Sequence, residues 1–195
     1  MEFVDDEIRI DKPPNDLDAL VLDVVDVLEA AGVGYVVVSG YVVVLFGRAR
    51  ATEDIDVIVE RFDEDTAEEI ATALRDRGYW GPAMPLNDLY DTLNDGLPVR
   101  VAEAEHRVPN VELKFPTDEY DRASLDDTVT VRLSDESLRV GSIELQIAYK
   151  LGMGAQKDYE DALYLHELFA DRVNHQELQS YVERLGVEDE YDRLD

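Results

Sequence analysis

The spacing of apolar residues changes along the chain and predicts a succession of helices and strands. Residues 17–28 place leucine or valine at every third or fourth position behind Asn15, a helix-capping residue type, so a helix is expected up to Gly32. Short apolar runs bounded by turn residues predict strands instead. The predicted helices are 15–32, 41–46, 65–77, 86–93, 143–151, 159–169 and 176–185, and the predicted strands are 35–38, 54–60, 99–102, 111–115, 128–133 and 138–140.

This order of elements predicts an α/β (α+β) protein with a helical C-terminal extension. A chain of 195 residues is near the size of one domain. We expect a core at residues 1–141 and a helical segment at residues 142–195 that packs on it. Pro82 and Pro85 interrupt the pattern and make their region the least regular one.

One predicted strand carries charge where an inner strand is normally apolar. Asp54 and Asp56 begin the strand at 54–60, and alternate residues of a strand project to the same side. Buried carboxylates need a cation or hydrogen bonds, and Mg²⁺ commonly takes one or two carboxylates together with water and phosphate oxygens. The pair therefore predicts a metal site suited to phosphoryl transfer. Asp16-Leu17-Asp18 has the same spacing, so the strand context, not the spacing, carries this prediction.

The charge balance indicates a folded acidic protein. The formal net charge is -28, but 45% of the residues are hydrophobic and periodic, which argues against disorder. Only four of the 18 basic residues are lysines, a composition that resembles salt-adapted proteins of haloarchaea. We expect stability to fall below roughly 0.2 M salt, where screening lengths grow toward about 8 Å and more. The charge also disfavours nucleic-acid binding, although less so in concentrated salt.

Other compositional features narrow the chemistry and the location. The chain has no cysteine and three histidines, so thiolate chemistry is excluded and a zinc site is not expected. It contains no run of about 18 apolar residues, and its first ten residues lack the basic-then-apolar order of a secretory signal. A cytoplasmic protein without a membrane partner is the expectation.

The segment around the carboxylate pair resembles a known motif. Val38-Ser39-Gly40, thirteen intervening residues and Asp54-Ile55-Asp56-Val57 resemble the pattern of nucleotidyltransferases of the DNA polymerase β-like superfamily, especially minimal and AbiEii-toxin-like members. Ser39 stands where the pattern usually has glycine. The resemblance implies that Ser39 and Gly40 approach a phosphate, with Gly40 free to adopt unusual dihedral angles. The phrase GRARATEDID is also similar to one common in this family, which implies that Arg48 and Arg50 lie near the site and that Arg50 binds the nucleotide.

The resemblance further implies a third carboxylate on a neighbouring strand, and Glu112 in NVELKF is the candidate. By this analogy Asp54, Asp56 and Glu112 are catalytic and bind Mg²⁺ or Mn²⁺, and Glu112 helps to activate the acceptor hydroxyl. Two ions about 3.5 to 4 Å apart would hold the attacking and leaving oxygens in line. The family usually has Asp at this position. The alternative for Glu112 is an ordinary solvated strand residue beside Lys114.

The C-terminal third also resembles AbiEii-like proteins, in which an apolar-Lys phrase precedes Lys-Asp-x-x-Asp. The matching residues, implied to bind nucleotide, are Lys150, Lys157, Asp158 and Asp161. Lysine is otherwise rare in the chain, and a compact ammonium suits a phosphate. The alternative, which is compatible with the first, is an ion pair between Lys157 and Asp161 one helical turn apart.

Taken together, the resemblance implies a nucleotidyltransferase-type fold with a mixed β-sheet flanked by helices. It also implies a Mg²⁺-dependent nucleotidyltransferase that moves a nucleoside monophosphate from an NTP to a hydroxyl of an RNA, a protein or a small molecule. Toxin-like relatives imply a possible cognate antitoxin. The alternative hypothesis is a catalytically inactive nucleotide-binding or toxin-antitoxin interaction module with the same fold. Tyr79 and Trp80 are candidates for stacking on a base, although packing at a core edge is the commoner use of such residues. His106 and His166 are expected to be uninvolved.

Overall fold

In the computed structural model, which describes residues 1–4 and 7–194, nine strands and nine helices follow one another. The strands are β1 (Glu2–Val4), β2 (Glu7–Ile10), β3 (Tyr35–Val38), β4 (Asp54–Val59), β5 (Tyr79–Trp80), β6 (Val99–Glu103), β7 (Asn110–Lys114), β8 (Thr128–Leu133) and β9 (Glu136–Gly141). The helices are α1 (Asp16–Ala30), α2 (Gly40–Leu45), α3 (Glu64–Asp76), α4 (Leu89–Asn94), α5 (Glu119–Asp126), α6 (Ile143–Met153), α7 (Gln156–Leu168), α8 (His175–Leu185) and α9 (Glu188–Tyr191). A 3-10 turn at Leu86–Asp88 precedes α4.

The strands form one mixed sheet in the order β1-β2-β8-β9-β3-β4-β7-β6-β5. In its centre β4 runs antiparallel to β3 and parallel to β7. Residues paired side by side in neighbouring strands project from the same face. The register therefore decides which side chains meet, and it brings Asp56 beside Val38 on one side and Glu112 on the other. The predicted mixed α/β class is confirmed.

The core is one continuous cluster that joins the sheet to the C-terminal helices. Ile55, Val57 and Val59 of β4 are fully buried, and the cluster also includes Leu165 of α7 and Leu178 of α8. A division at residues 141 and 142 stays a prediction, and the last residue of the predicted second segment, Asp195, lies outside the described residues. None of the helices in the described ranges 1–4 and 7–194 has the length and apolarity needed to cross a membrane.

A buried carboxylate joins α1 to α2, the helix that leads away from the Ser39-Gly40 turn. Asn15 and Asp18 form a capping box, in which each side chain accepts a hydrogen bond from the other residue's backbone N–H at 2.9 Å. The fully buried Asp18 also accepts a hydrogen bond from the Tyr41 hydroxyl at 2.6 Å and pairs with the Lys12 ammonium at 2.8 Å. This contact fixes α2, and with it the turn, against the first helix.

The strands β1, β2 and β5 and the helices α5 and α9 were not predicted. The strands have two to four residues, too few to give a reliable period. The helix α5 is mostly polar, but it has a recognisable start, because Asp118 accepts hydrogen bonds from the backbone N–H groups of Tyr120 and Asp121. The helix α7 begins at Gln156, three residues before the predicted start at 159.

Candidate active site

A cavity of about 350 Å³ opens on the face of the sheet where β3, β4 and β7 meet α5, α6 and α7. Its floor comes from the strands and its walls from the helices, so residues far apart in the sequence meet there. The residues that line it are Val38, Ser39, Gly40, Arg50, Thr52, Asp54, Asp56, Ile58, Lys114, Tyr120, Asp121, Ser124, Leu145, Gln146, Tyr149, Lys150, Met153, Lys157 and Asp158.

The two aspartates of β4 face this cavity together. Asp54, Asp56 and Ile58 line it, whereas Ile55 and Val57 point into the core on the other side of the strand. Asp54 is exposed and Asp56 is half-buried. Burial raises the pKa of Asp56, and the negative charges of Glu112 and Asp54 add to this rise, while the Ser39 side chain and Lys114 oppose it. The folded protein thus leaves the charge of this carboxylate incompletely compensated.

The turn beside the pair differs from the expectation in one detail. Ser39, not Gly40, has the unusual backbone, with φ 69° and ψ −138°, a conformation that non-glycine residues rarely adopt. Gly40 accommodates a close approach instead, because a Cβ there would lie 3.1–3.2 Å from the Arg50 guanidinium and would make that side chain shift. The Ser39 N–H donates a hydrogen bond to Gln146 Oε1 at 3.2 Å, which ties the turn to α6.

Glu112 lies next to Asp56 in the β4–β7 register and is mostly buried, with 19% of its side chain exposed. Its Oε2 accepts a hydrogen bond from Arg100 Nε of β6 at 3.0 Å. The side chain is therefore neither a freely solvated strand residue nor a free ligand. To reach a metal bound at Asp56, it would exchange an exposed arginine partner for the ion.

The donor set fits a hard cation but is not assembled into a closed cage. In residues 1–4 and 7–194, no group of three or more carboxylate or histidine side chains is already arranged to hold a metal ion. Asp54 and Asp56 form no salt bridge within the same part of the chain. Two carboxylates on one strand face, neither of them in a salt bridge, are a suitable partial ligand set for Mg²⁺, which keeps water and phosphate oxygens in its remaining positions.

Three basic side chains at one side of the cavity share a single carboxylate partner, Asp161. This carboxylate is fully buried and pairs with Arg48, Arg50 and, at 2.8 Å, the Lys150 ammonium. Burial lowers the pKa of Lys150, and Asp161 works against this effect. Arg50 and Lys150 line the cavity, but Asp161 does not. Its position is that of a support for the two cations.

The other predicted residues of the C-terminal motif lie near this cluster. Lys157 and Asp158 line the cavity; Lys157 is exposed, and the buried Asp158 interacts electrostatically with Lys150. The alternative of a Lys157–Asp161 ion pair is wrong, because Asp161 is taken by cations from α6 and from the segment before β4. Lys157 and Asp161 do have the four-residue spacing of a helical ion pair. The tertiary fold instead brings Arg48, Arg50 and Lys150 to Asp161.

Sequence reasoning predicted the helix α6 and its Lys150, but it missed the helix α5 and the α5 side chains that complete one wall of the cavity. Asp121 of α5 accepts hydrogen bonds from the Lys114 ammonium at 2.8 Å and from the Thr117 N–H at 2.9 Å. Although burial opposes both shifts, this pairing lowers the pKa of Asp121 and raises that of Lys114. Tyr120 and Tyr149 bring their rings to 6.3 Å on the same wall. The capping residue Asp118 was the sequence signal for α5.

The aromatic and histidine candidates lie outside the cavity. The Tyr79 hydroxyl donates to Asp23 at 2.7 Å, and the Trp80 indole N–H donates to the His106 carbonyl at 2.7 Å. His166 packs edge-on against Tyr191 at 5.8 Å. These contacts belong to the far edge of the sheet and to the C-terminal helices.

Solved structures share the fold. An antigenic nucleotidyltransferase-like protein from Paracoccidioides brasiliensis has a TM-score of 0.56 and 18% identity, with 94% of each chain covered. The solution structure of the antibiotic-resistance factor ANT(2'')-Ia has a TM-score of 0.55 and 11% identity, covering 92% of this chain and 96% of that one. The lincosamide antibiotic adenylyltransferase LnuA, in its lincomycin-bound crystal structure, has a TM-score of 0.50 and 19% identity, covering 76% and 95%. The fold is thus that of nucleotidyltransferases.

The sequence narrows this class to a family. Residues 20–162 match the aminoglycoside-2''-adenylyltransferase family, and this segment is more than half of the 195 residues. The chain belongs to that family and is a nucleotidyltransferase. No curated protein matches the chain. These findings support the predicted superfamily, but they do not extend to an AbiEii-like branch or to an origin in a haloarchaeon.

Proposed function

We propose that the protein transfers a nucleoside monophosphate, AMP by its family, from a Mg²⁺-bound NTP to a hydroxyl group of a small molecule. One observation carries the proposal. Among residues 1–4 and 7–194, neither Asp54 nor Asp56 forms a salt bridge, and both face a cavity that Arg50, Lys150 and Lys157 also line. A divalent ion would neutralise the two aspartates, and a triphosphate would pair with the three basic side chains.

Asp54 and Asp56 would hold Mg²⁺ or Mn²⁺, and Glu112 would join them after release from Arg100. When bound, the divalent ion polarises phosphoryl oxygens and stabilises charge that develops on them. The acceptor oxygen forms a bond to the α-phosphorus, and the bond from that phosphorus to pyrophosphate breaks. Pyrophosphate leaves with the electron pair, and the hydroxyl proton passes to Glu112.

The chain's own part in triphosphate binding is charge and alignment, which are the main sources of catalysis in phosphoryl transfer. Gly40 leaves room for the Arg50 guanidinium close to the backbone of the Ser39 turn. Arg50 and Lys150 share the carboxylate of Asp161, so they are oriented before a nucleotide arrives. Lys157 adds an exposed charge to the cavity lining, and Asp158 interacts electrostatically with Lys150.

The acceptor is assigned from the family. Its name, together with those of ANT(2'')-Ia and LnuA, refers to antibiotics, which are small hydroxylated molecules, and this supports a small molecule over an RNA or a protein. A cognate antitoxin, an origin in a haloarchaeon and a cytoplasmic location remain predictions from the sequence.

Calorimetric titration of ATP, GTP, CTP and UTP with Mg²⁺ or Mn²⁺ in concentrated KCl tests the proposal, followed by an assay of pyrophosphate release. We expect ATP to bind only with the divalent ion and EDTA to abolish binding. Asp54→Asn should weaken metal-dependent binding. Asp16→Asn is the matched control, because Asp16 is also the exposed first member of an Asp-x-Asp triplet. Equal binding with and without metal would refute the proposal.

A further inference from the structure

Ser39 has a backbone conformation that a serine adopts only under constraint. Its φ of 69° and ψ of −138° lie in a region that residues other than glycine rarely enter. Within residues 1–4 and 7–194, three residues other than glycine have a positive φ, and of these only Ser39 lines the cavity. Such a conformation persists where its surroundings impose it, and it is common at functional sites. The contacts of Ser39 indicate which group imposes it here.

Gln146 of α6 holds the backbone of this turn. Its Oε1 accepts a hydrogen bond from the Ser39 N–H at 3.2 Å, between residues 107 positions apart in the chain. The glutamine is buried, with 6% of its surface exposed, and its own N–H donates to the Ser142 carbonyl at 3.0 Å in the first turn of α6. A buried acceptor is costly to leave unpaired, so this hydrogen bond favours the conformation of Ser39 that makes it.

The end of β9 leaves room for the same amide. A Cβ at Gly141 would lie 3.2 Å from Gln146 Nε2 and 3.5 Å from Val38 Cγ1. A larger residue at this position would press the amide away from the turn. Strand β9, the turn after β3 and helix α6 therefore all contribute to the placement of Gln146.

The side chain of Ser39 contacts one of the proposed metal ligands. It forms a hydrogen bond with Asp56, and both residues line the cavity. The directions open to a side chain depend on the backbone angles of its residue. A change of φ at Ser39 would therefore move its hydroxyl relative to the Asp56 carboxylate.

We infer that Gln146 is a positioning residue, which holds the backbone of Ser39 so that the serine side chain orients Asp56 for the metal ion. This inference rests on the proposed function, since it requires a divalent ion at Asp56. Groups that orient a metal ligand commonly change metal affinity by about tenfold or more. Gln146 acts through Ser39 and does not itself touch the ion.

Calorimetric titration of ATP at a series of Mg²⁺ concentrations tests the inference, and it requires no acceptor. Gln146→Met keeps the length of the side chain and removes its amide. We expect the Mg²⁺ midpoint, the concentration at half-maximal ATP binding, to rise about tenfold, and saturating Mg²⁺ to restore ATP binding. The melting temperature of the metal-free protein should fall by no more than about 3 °C, because relaxation of Ser39 offsets part of the lost hydrogen bond.

A double-mutant cycle with Ser39→Gly shows whether Gln146 acts through Ser39. Glycine adopts a positive φ without strain and has no hydroxyl to orient. Ser39→Gly alone should raise the Mg²⁺ midpoint about tenfold, and adding Gln146→Met should change it by less than about twofold. Gln179→Met is the matched control, because Gln179 is exposed on α8, where its amide donates to Glu183 at 3.1 Å. It should leave the midpoint at the wild-type value.

The outcomes separate the inference from the function on which it rests. An unchanged Mg²⁺ midpoint in Gln146→Met would overturn the inference and leave the residue a structural role. A lower midpoint would also overturn it, since Gln146 would then compete with a phosphate for the Ser39 N–H. So would a tenfold effect that persists in Ser39→Gly, because Gln146 would then act on the ligand directly. None of these results removes nucleotide binding, whereas a wild type that binds no ATP with Mg²⁺ would refute the proposed function and the inference together.

Discussion

Two triplets of the same spacing, Asp16-Leu17-Asp18 and Asp54-Ile55-Asp56, have opposite surroundings in this protein. In the helix α1, residues two apart do not share a face, so Asp16 is exposed and Asp18 is fully buried. In the strand β4, residues two apart share a face, so Asp54 and Asp56 both line the cavity.

The second aspartates of the two triplets, Asp18 and Asp56, also differ in the groups that they contact. Asp18 accepts hydrogen bonds from a backbone N–H and a tyrosine hydroxyl and pairs with a lysine. Asp56 has no salt bridge in the described ranges 1–4 and 7–194, and its neighbours Asp54 and Glu112 are acidic. A carboxylate that the protein compensates stabilises the fold, and one that it leaves uncompensated is available to a ligand. The four predictions below test this contrast.

The largest expected effect is on catalysis. Asp56→Asn should lower kcat for pyrophosphate release about a thousandfold, the upper end of the loss for a single electrostatic group, while the melting temperature does not fall. Asp18→Asn should leave kcat of the folded protein near the wild-type value. Steady-state kinetics and thermal melts of both variants measure this, and retained turnover in Asp56→Asn would remove the catalytic role.

The two positions should rank in the opposite order for stability: substitution of Asp18 should lower the free energy of unfolding more than substitution of Asp56. Asp18→Ala removes a capping box and leaves the Lys12 ammonium and the Tyr41 hydroxyl without their partner, so we expect a loss of about 3 kcal/mol in the free energy of unfolding. Asp56→Ala should lose only about 1 kcal/mol, because it removes one hydrogen bond with the Ser39 side chain together with a carboxylate charge that the fold does not compensate. Denaturant titrations of the metal-free proteins give both values. Equal losses would contradict the contrast.

The pH dependence should identify the uncompensated group. Burial raises the pKa of Asp56 in the folded protein above its unfolded value of about 3.9. A raised carboxyl pKa contributes stability that is present at low pH and is lost as pH rises through the folded-state pKa. The stability of Asp56→Asn relative to metal-free wild type should therefore increase with pH over this window and then level off. A difference that stays constant from acid to neutral pH would contradict the assignment.

The smallest expected effect concerns the third carboxylate. Arg100→Gln should free Glu112 and raise the apparent affinity for Mg²⁺ by a few fold, since an exposed ion pair contributes about 0–1 kcal/mol. Arg100 is half-exposed, so the fold should be unaffected. Metal titrations of nucleotide binding measure this change. Arg132→Gln, at another surface pair, is the control, and an unchanged affinity in Arg100→Gln would indicate that Glu112 is not a ligand.

Part of the site could be predicted from the sequence because it depends on residues only a few positions apart. The face shared by Asp54 and Asp56 follows from strand periodicity, and the Ser39-Gly40 turn follows from its position between two apolar runs. The unusual backbone was assigned to the wrong residue of that turn. Glycine is the default for such conformations, but here Gly40 accommodates the close approach of Arg50, and Ser39 takes the positive φ.

The sequence by itself determined the main helices and strands and the pairing of two carboxylates on one strand face, because these depend on residues only a few positions apart. Only the tertiary structure decided which cations Asp161 holds, since Arg48 and Arg50 are 113 and 111 residues away along the chain. It also decided that Lys114 neutralises Asp121, because that contact requires α5 to fold over the sheet. The ion-pair partners of these buried carboxylates depend on strand register and helix packing, which cannot be read from residue spacing along the chain.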